Sequence, residues 1–164
     1  KDGKKIEMYV YSQSVLTEEQ KVALSEDKYI HFMGCVNPSE LPEIYKEADI
    51  ALHVESFDKK FMLETEHSFS TKLTDLMMST CAILAICWEK NSGWDYVKTH
   101  DAAICLSNYA EVLPKLQEIV ENPSIIQEYA KKGADCGVKN LNREKIHNQL
   151  KGVFENVMCE MVEK

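Results

Sequence analysis

A hydroxyl-rich turn in the middle of the chain carries side chains that could bind an anion. Ser70 and Thr71 begin a short predicted helix, Lys72 follows them, and Asp75 lies one turn further on. Backbone N–H groups at the start of a helix have no partner within the helix and attract anions. Lys72 would add positive charge, and Asp75 could accept hydrogen bonds from sugar hydroxyls. This combination suits a nucleoside diphosphate.

A structural interpretation of the same helix is equally open. Its apolar side would pack on a sheet through four residues: Leu73, Leu76, Met77 and Thr80. Lys72 and Asp75 would then form an ordinary ion pair on an exposed face. The helix pattern alone is compatible with both interpretations.

The sequence around this helix alternates between strand-like and helix-like patterns. Apolar runs predict five strands, at 6–11, 29–33, 49–54, 82–87 and 102–106. Helices are predicted near 17 and 37, at 71–79, at 108–121 and 123–132, and from 142 onward. One further helix is expected to follow a loop that begins at 92 and runs to 97. This order predicts an α/β fold with a Rossmann-like parallel sheet and helices on both faces. The strand at 82–87 is the most apolar and is expected at the sheet centre.

One connection of the predicted sheet is unusually long and polar. It begins at Glu55, directly after the third strand, and extends to His67. Loops of this length are often functional, and ligands of such folds bind at the carboxyl ends of the strands. Glu55 is therefore a candidate site residue. His31 and His53 lie within strands and are expected to be core residues or hydrogen-bonded polar groups.

Composition restricts the class of protein. The chain has 164 residues, which fits one domain with its own core. Its net charge of −8 argues against a nucleic-acid-binding surface. Four lysines of the central third could still provide a local positive field: Lys59, Lys60, Lys72 and Lys90. The apolar runs are too short to span a bilayer, so we expect a cytoplasmic protein without a transmembrane segment.

The six cysteines do not follow a metal-binding or redox pattern. They are Cys35, Cys81, Cys87, Cys105, Cys136 and Cys159. No two of them have C-x-x-C spacing, and several lie in apolar runs. The pattern predicts buried free thiols in a reducing compartment and no metal site. The chain begins with Lys1 rather than Met, so we expect it to be a piece of a longer polypeptide.

Five motifs occur in an order that resembles a known family. They are the turn at 32–36, the segment 41–52, the helix start at 70–78, the strand at 82–85 and the Ser-Gly pair at 92–93. Together they resemble the C-terminal, donor-binding domain of GT-B-fold glycosyltransferases, in the retaining group 1 family that builds polysaccharides and glycolipids. The resemblance covers 6–161, nearly the whole chain.

The resemblance implies one half of a GT-B fold, with residues 1–164 as a nucleotide-sugar-binding domain. The complete enzyme, in the cytoplasm or at the membrane surface, would transfer a hexose-type sugar to an acceptor hydroxyl. It would need no metal or other cofactor, and a UDP-sugar is the expected donor. The acceptor would bind an N-terminal domain absent from this chain, against which the last helix would pack.

Individual roles are likewise implied by the resemblance. The backbone of the turn at Gly34, Cys35 and Val36 would hold the nucleotide base. Ser70, Thr71 and Lys72 would contact the donor phosphates. Asp75 stands where the family usually has a glutamate that binds the ribose, and Glu55 would line the same cleft. No catalytic residue is assigned.

Departures from the family pattern leave two other interpretations open. The family's sugar-contacting glutamate falls at His67, beside Glu66, so these two are candidate sugar contacts. Thr80 stands where many relatives have a glycine, and a β-branched residue disfavours positive φ, so the turn after the helix must differ. The alternatives are a nucleotide-sugar epimerase half-domain and a non-catalytic α/β interaction module with a degenerate cleft.

Overall fold

The computed structural model of the protein describes residues 5–162, and the α/β fold class is confirmed. All five predicted strands are present: β1 Met8–Tyr11, β2 Ile30–Gly34, β3 Ile50–Val54, β4 Ala82–Ile86 and β5 Ile104–Leu106. The α-helices are α1 Glu18–Ser25, α2 Leu41–Glu47, α3 Lys59–Thr65, α4 Thr71–Met77, α5 Ser92–Thr99, α6 Val112–Glu121, α7 Ser124–Asn140 and α8 Arg143–Val162. Short 3₁₀ turns precede α2 and α6.

The strands pair in parallel, as predicted, but in two sheets rather than one. β1 pairs with β2, and β3, β4 and β5 form a separate sheet in that order. The chain correspondingly divides into two compact units, unit 1 up to Glu47 and unit 2 from Ala48. Which strands pair depends on tertiary packing, and the apolar runs alone do not specify it.

Unit 1 is shaped by local hydrogen bonds that the sequence encodes. Thr17 and Gln20 form a capping box at the start of α1: the Thr17 hydroxyl accepts from the Gln20 N–H at 3.2 Å, and the Thr17 N–H donates to Gln20 Oε1 at 2.9 Å. Gly34 ends β2 with φ +73°, and its carbonyl accepts from the Ser12 N–H at 2.8 Å. This left-handed conformation favours glycine.

Unit 2 is built around β4, which is buried along its whole length and lies between its two partners, as predicted. The register places Leu52 beside Leu84 and Leu84 beside Ile104. One face of the sheet belongs to an apolar core: Leu84, Ile86, Ile104, Leu106 and Ile119. Helices cover both faces, so the strand is apolar throughout instead of alternating.

Several predicted boundaries are wrong. The loop after β3 contains α3, whose first turn is capped by Asp58 accepting from the Lys60 N–H at 2.9 Å. Helix α5 begins at Ser92, where the sequence predicted a loop. Helix α4 ends at Met77, and Thr80 lies beyond it and is exposed rather than packed on the sheet. No residue of this turn has positive φ, as expected for Thr80.

Helix α7 extends to Asn140, beyond the predicted 123–132, and two of its glycines lie close to neighbouring backbone. A Cβ added at Gly133 would lie 3.1 Å from the Ala102 carbonyl oxygen, and one at Gly137 would lie 2.9 Å from the Met77 carbonyl carbon. The last helix, α8, leaves its apolar residues exposed: Ile146, Leu150, Val153, Phe154, Val157 and Met158. Among the helices of residues 5–162, none is long and apolar enough to cross a membrane.

The approach of α7 to α4 generates a test of the fold. Gly137→Ala would force the Met77 backbone and α7 apart, so we expect the free energy of unfolding to fall by about 1–3 kcal/mol. Gly152→Ala in α8 is the matched control, because a Cβ there meets nothing within 4 Å. It should stabilise the protein by up to about 1 kcal/mol through helix propensity. Urea denaturation measures both, and equal effects would contradict this packing.

Candidate functional site

The predicted site residues fall into two groups. Gly34, Cys35 and Val36 belong to unit 1, where they end and follow β2. The side chain of Cys35 is exposed, and its Sγ donates to the Val36 carbonyl at 3.8 Å. The remaining candidates belong to unit 2 and lie after β3, around the end of α3 and on α4: Glu55, Glu66, His67, Ser70, Thr71, Lys72 and Asp75.

The end of α3 is held against the start of α5 by two polar side chains. Asn91 is buried, donates from Nδ2 to the Thr65 carbonyl at 2.9 Å and accepts at Oδ1 from the Trp94 N–H at 3.0 Å. The Ser92 N–H and hydroxyl both donate to the Glu66 carbonyl, at 3.0 and 2.8 Å. These bonds hold the backbone in place at Thr65 and Glu66. The position of the residues that follow depends on these bonds.

The start of α4 is fixed against α5 by close packing. A Cβ at Gly93 would lie 2.7 Å from Leu73 Cδ1, so the two helices approach at a position that only glycine permits without rearrangement. The rings of Phe69 and Tyr96 meet edge to face, with centroids 5.3 Å apart. Leu73 and the rest of the apolar side of α4 are buried, whereas Lys72 is exposed.

Lys72 carries a charge that no carboxylate neutralises within the described part of the chain. The ion pair between Lys72 and Asp75, which the structural interpretation of α4 requires, does not form. Three such lysine–glutamate pairs, spaced three residues apart, do form elsewhere: Lys21–Glu18, Lys46–Glu43 and Lys115–Glu118. Ser70 is the N-cap residue of α4, but its hydroxyl makes no capping hydrogen bond.

His53 is the site residue that sequence reasoning missed. It is 1% exposed, so the expected core position is confirmed, and neither ring nitrogen has a hydrogen-bond partner among the described residues. Its Nε2 lies 3.8 Å from Glu55 Oε1. Burial, together with the charge of Lys72, lowers the pKa of His53 to about 4. The imidazole is therefore neutral near pH 7.

Glu55 and Cys87 complete the carboxyl edge of the sheet beside His53. The Glu55 N–H donates to the Ile86 carbonyl at 3.1 Å, and the Cys87 N–H donates to the Leu106 carbonyl at 3.1 Å. Burial and the nearby Glu55 raise the pKa of the Cys87 thiol to about 12. Cys87 is therefore a protonated thiol and not an activated nucleophile.

Three candidate residues form no hydrogen bond or ion pair with Lys72, His53, Glu55 or Cys87 among the described residues. Glu66 is half-buried and uses its backbone carbonyl, not its carboxylate, to hold Ser92. His67 and Asp75 are exposed. Their roles in binding a sugar and a ribose remain predictions.

Two cavities of unit 2 lie away from the predicted site residues. One cavity, of about 620 Å³, lies where α7 meets α8, and another, of about 350 Å³, lies beside the start of β5. Neither is lined by a predicted site residue. Within residues 5–162, no group of three or more His, Cys, Asp or Glu residues could hold a metal ion.

Comparison with known proteins does not assign a family. No family model matches the sequence, and no curated protein or solved structure is significantly similar to it. The resemblance to glycosyltransferases therefore rests on the motifs alone.

The unpartnered imidazole predicts a pH dependence of stability. His53 binds a proton at its ordinary pKa of 6.5 in the unfolded chain but only at about 4 in the folded protein. The unfolded state thus binds more protons, and folding stability is lost as the pH falls through this window. His53→Leu should reduce by about 3 kcal/mol the folding free energy that is lost over this pH range. It should also stabilise the protein, because leucine replaces an unpaired polar group.

Urea denaturation between about pH 7 and pH 4 checks this contribution. His147→Leu is the control, because His147 is exposed on α8 and should leave the pH dependence unchanged. A His53→Leu variant with the wild-type pH profile would show that His53 is not the group responsible.

Proposed function

We propose that unit 2 binds the diphosphate of a nucleotide sugar at Lys72, as the donor-binding part of a metal-independent glycosyltransferase. The observation that carries the proposal is the uncompensated charge of Lys72 beside a buried, unpartnered His53 at the carboxyl edge of the sheet. This edge is where α/β folds bind their ligands. An anion at Lys72 would supply the missing countercharge.

The flanking groups suit the same ligand. The Ser70 hydroxyl is not used to cap α4, and Thr71 is exposed beside it, so both could donate to phosphate oxygens. Asp75 is exposed on the same helix and could accept from ribose hydroxyls. A UDP-sugar is the favoured donor by the resemblance, and base contacts by Gly34, Cys35 and Val36 remain a prediction.

Sugar transfer places a specific electrostatic demand on such a site. The bond between the anomeric carbon and the diphosphate oxygen breaks, and negative charge develops on the departing nucleoside diphosphate. The ammonium group of Lys72 would stabilise that charge without a metal. The acceptor hydroxyl would come from a molecule bound to the further domain that the resemblance implies, and the exposed apolar residues of α8 would contact that domain.

A non-catalytic binding module is the second candidate, and His67 favours it, because this histidine replaces the sugar-contacting glutamate that the resemblance implies. Saturable binding of nucleoside diphosphates supports the first candidate, and its absence supports the second. Binding alone does not separate a glycosyltransferase from an epimerase, which would act on the same ligand.

The first test removes the cation. Lys72→Ala should weaken the binding of UDP by about 1.5–3 kcal/mol, the range for a hydrogen bond to a charged group. Isothermal titration calorimetry of the wild-type chain and the variant measures this loss. Lys115→Ala is the control, because that lysine is paired with Glu118 on α6. Unchanged affinity in Lys72→Ala would remove Lys72 from the site.

The second test separates ribose from phosphate. Asp75→Ala should weaken the binding of UDP while leaving the binding of inorganic pyrophosphate unchanged, because pyrophosphate has no ribose. The same calorimetric titrations with both ligands provide the comparison. Equal losses for the two ligands would argue against a ribose contact by Asp75.

A further inference from the structure

Helix α8 has little support from the rest of the described chain. Its residues from Arg143 to Met158 are exposed, apart from the half-buried Gly152. No other helix or strand within residues 5–162 packs extensively against it. In proteins, most of the stability of a helix comes from the packing of an apolar face rather than from the helix itself. The single chain therefore leaves α8 without the packing that would stabilise it.

The helix nevertheless has the apolar face that such packing requires. Six large apolar residues along it are between 44% and 66% exposed: Ile146, Leu150, Val153, Phe154, Val157 and Met158. Four of these, Ile146, Leu150, Val153 and Val157, follow one another at steps of four, three and four residues. This alternation is the a/d pattern of a coiled coil, in which such residues form one continuous seam. We call these four residues the α8 seam.

The α8 seam is complementary to itself when two copies of the helix pair in opposite directions. With a twofold axis opposite the middle of the seam, Ile146 meets Val157 of the second copy, and Leu150 meets Val153. Every seam residue then has an apolar partner. A parallel pair would also bring apolar residues together, because each would meet its own copy, so the seam alone does not determine the direction.

The charges along α8 favour the antiparallel direction. Its first half, 143–151, contains three basic residues and one acidic residue, whereas 152–162 contains two acidic residues and no basic one. Antiparallel pairing brings the basic half of one copy beside the acidic half of the other, and it also sets the two helix dipoles in opposite directions. Parallel pairing would bring like charges together in both halves.

We propose that α8 is a homodimer interface, in which its apolar face pairs antiparallel with α8 of a second copy of this chain. The inference does not rest on the proposed function. It assigns this face to a second copy instead of the further domain that the resemblance implies, because a further domain would not account for the self-complementary order of apolar residues and charges. The proposed site at Lys72 lies on α4 and is compatible with either occupant of α8.

Analytical ultracentrifugation under reducing conditions measures the association. At roughly 100 µM the wild-type chain should sediment as a dimer, because a complex of micromolar Kd is mostly assembled at this concentration. Leu150→Glu and Val153→Lys should each sediment as a monomer, since each places a charge in the seam. Both side chains are exposed in the single chain, so neither substitution disturbs its core. Leu113→Glu is the matched control, because Leu113 is 65% exposed on α6, outside the seam, and this variant should remain a dimer.

A mixture of the two seam variants tests the direction of pairing. In an antiparallel pair, the glutamate introduced at 150 in one copy meets the lysine introduced at 153 in the other. The unchanged Leu150 and Val153 of the two copies also meet, so the mixture should sediment as a heterodimer although each variant alone is a monomer. In a parallel pair each introduced charge would meet an apolar residue, and the mixture would stay monomeric.

Three results would overturn the inference. A wild-type chain that is monomeric at this concentration leaves the apolar face to a further domain. A dimer that persists in Leu150→Glu shows that the copies associate through another surface. A mixture of the two seam variants that stays monomeric contradicts the antiparallel pairing. The binding of UDP at Lys72 is measured separately by calorimetry, so failure of this inference and failure of the proposed function are distinguishable.

Discussion

The packing of α4 on the sheet of unit 2 is the constraint on which the candidate site depends. Three apolar side chains of this helix are completely or almost completely buried: Leu73, Leu76 and Met77. They hold the start of α4 on the sheet, so the exposed Lys72 next to Leu73 lies close enough to His53 for its charge to act on the buried ring. The burial that stabilises the core thus also removes water from the imidazole and strengthens that interaction.

Local patterns predicted the elements well, and tertiary relations less well. The apolar run of β4 and the Thr17 capping box are visible in the sequence because they depend on neighbours along the chain. Helix α3 was missed because its polar residues lack apolar periodicity. Helix α7 was cut short because Gly133 and Gly137 resemble breakers, although they serve close packing. The division into two sheets depends on which strands meet, which no local pattern encodes.

The site was predictable in the same uneven way. The sequence indicated Lys72 as a cation at a helix start, but only the structure shows that Asp75 does not pair with it. The importance of His53 was hidden because the pattern of a strand indicates burial and not whether a ring nitrogen finds a partner. Its one visible signal was position: Glu55 follows two residues later, on the same face of an extended chain. An unpaired buried ring lowers stability, so its presence in the core needs a physical explanation.

The contact between Gly137 and Met77 has a consequence for motion. The Gly137 backbone lies so close to the Met77 carbonyl that α4 and α7 cannot slide past each other at this point without separating. Adjustment to the proposed ligand would then fall to side-chain rotamers, above all that of the long, exposed Lys72 side chain. Such rearrangements take picoseconds to nanoseconds at exposed positions, so the proposed recognition would require no slow conformational step.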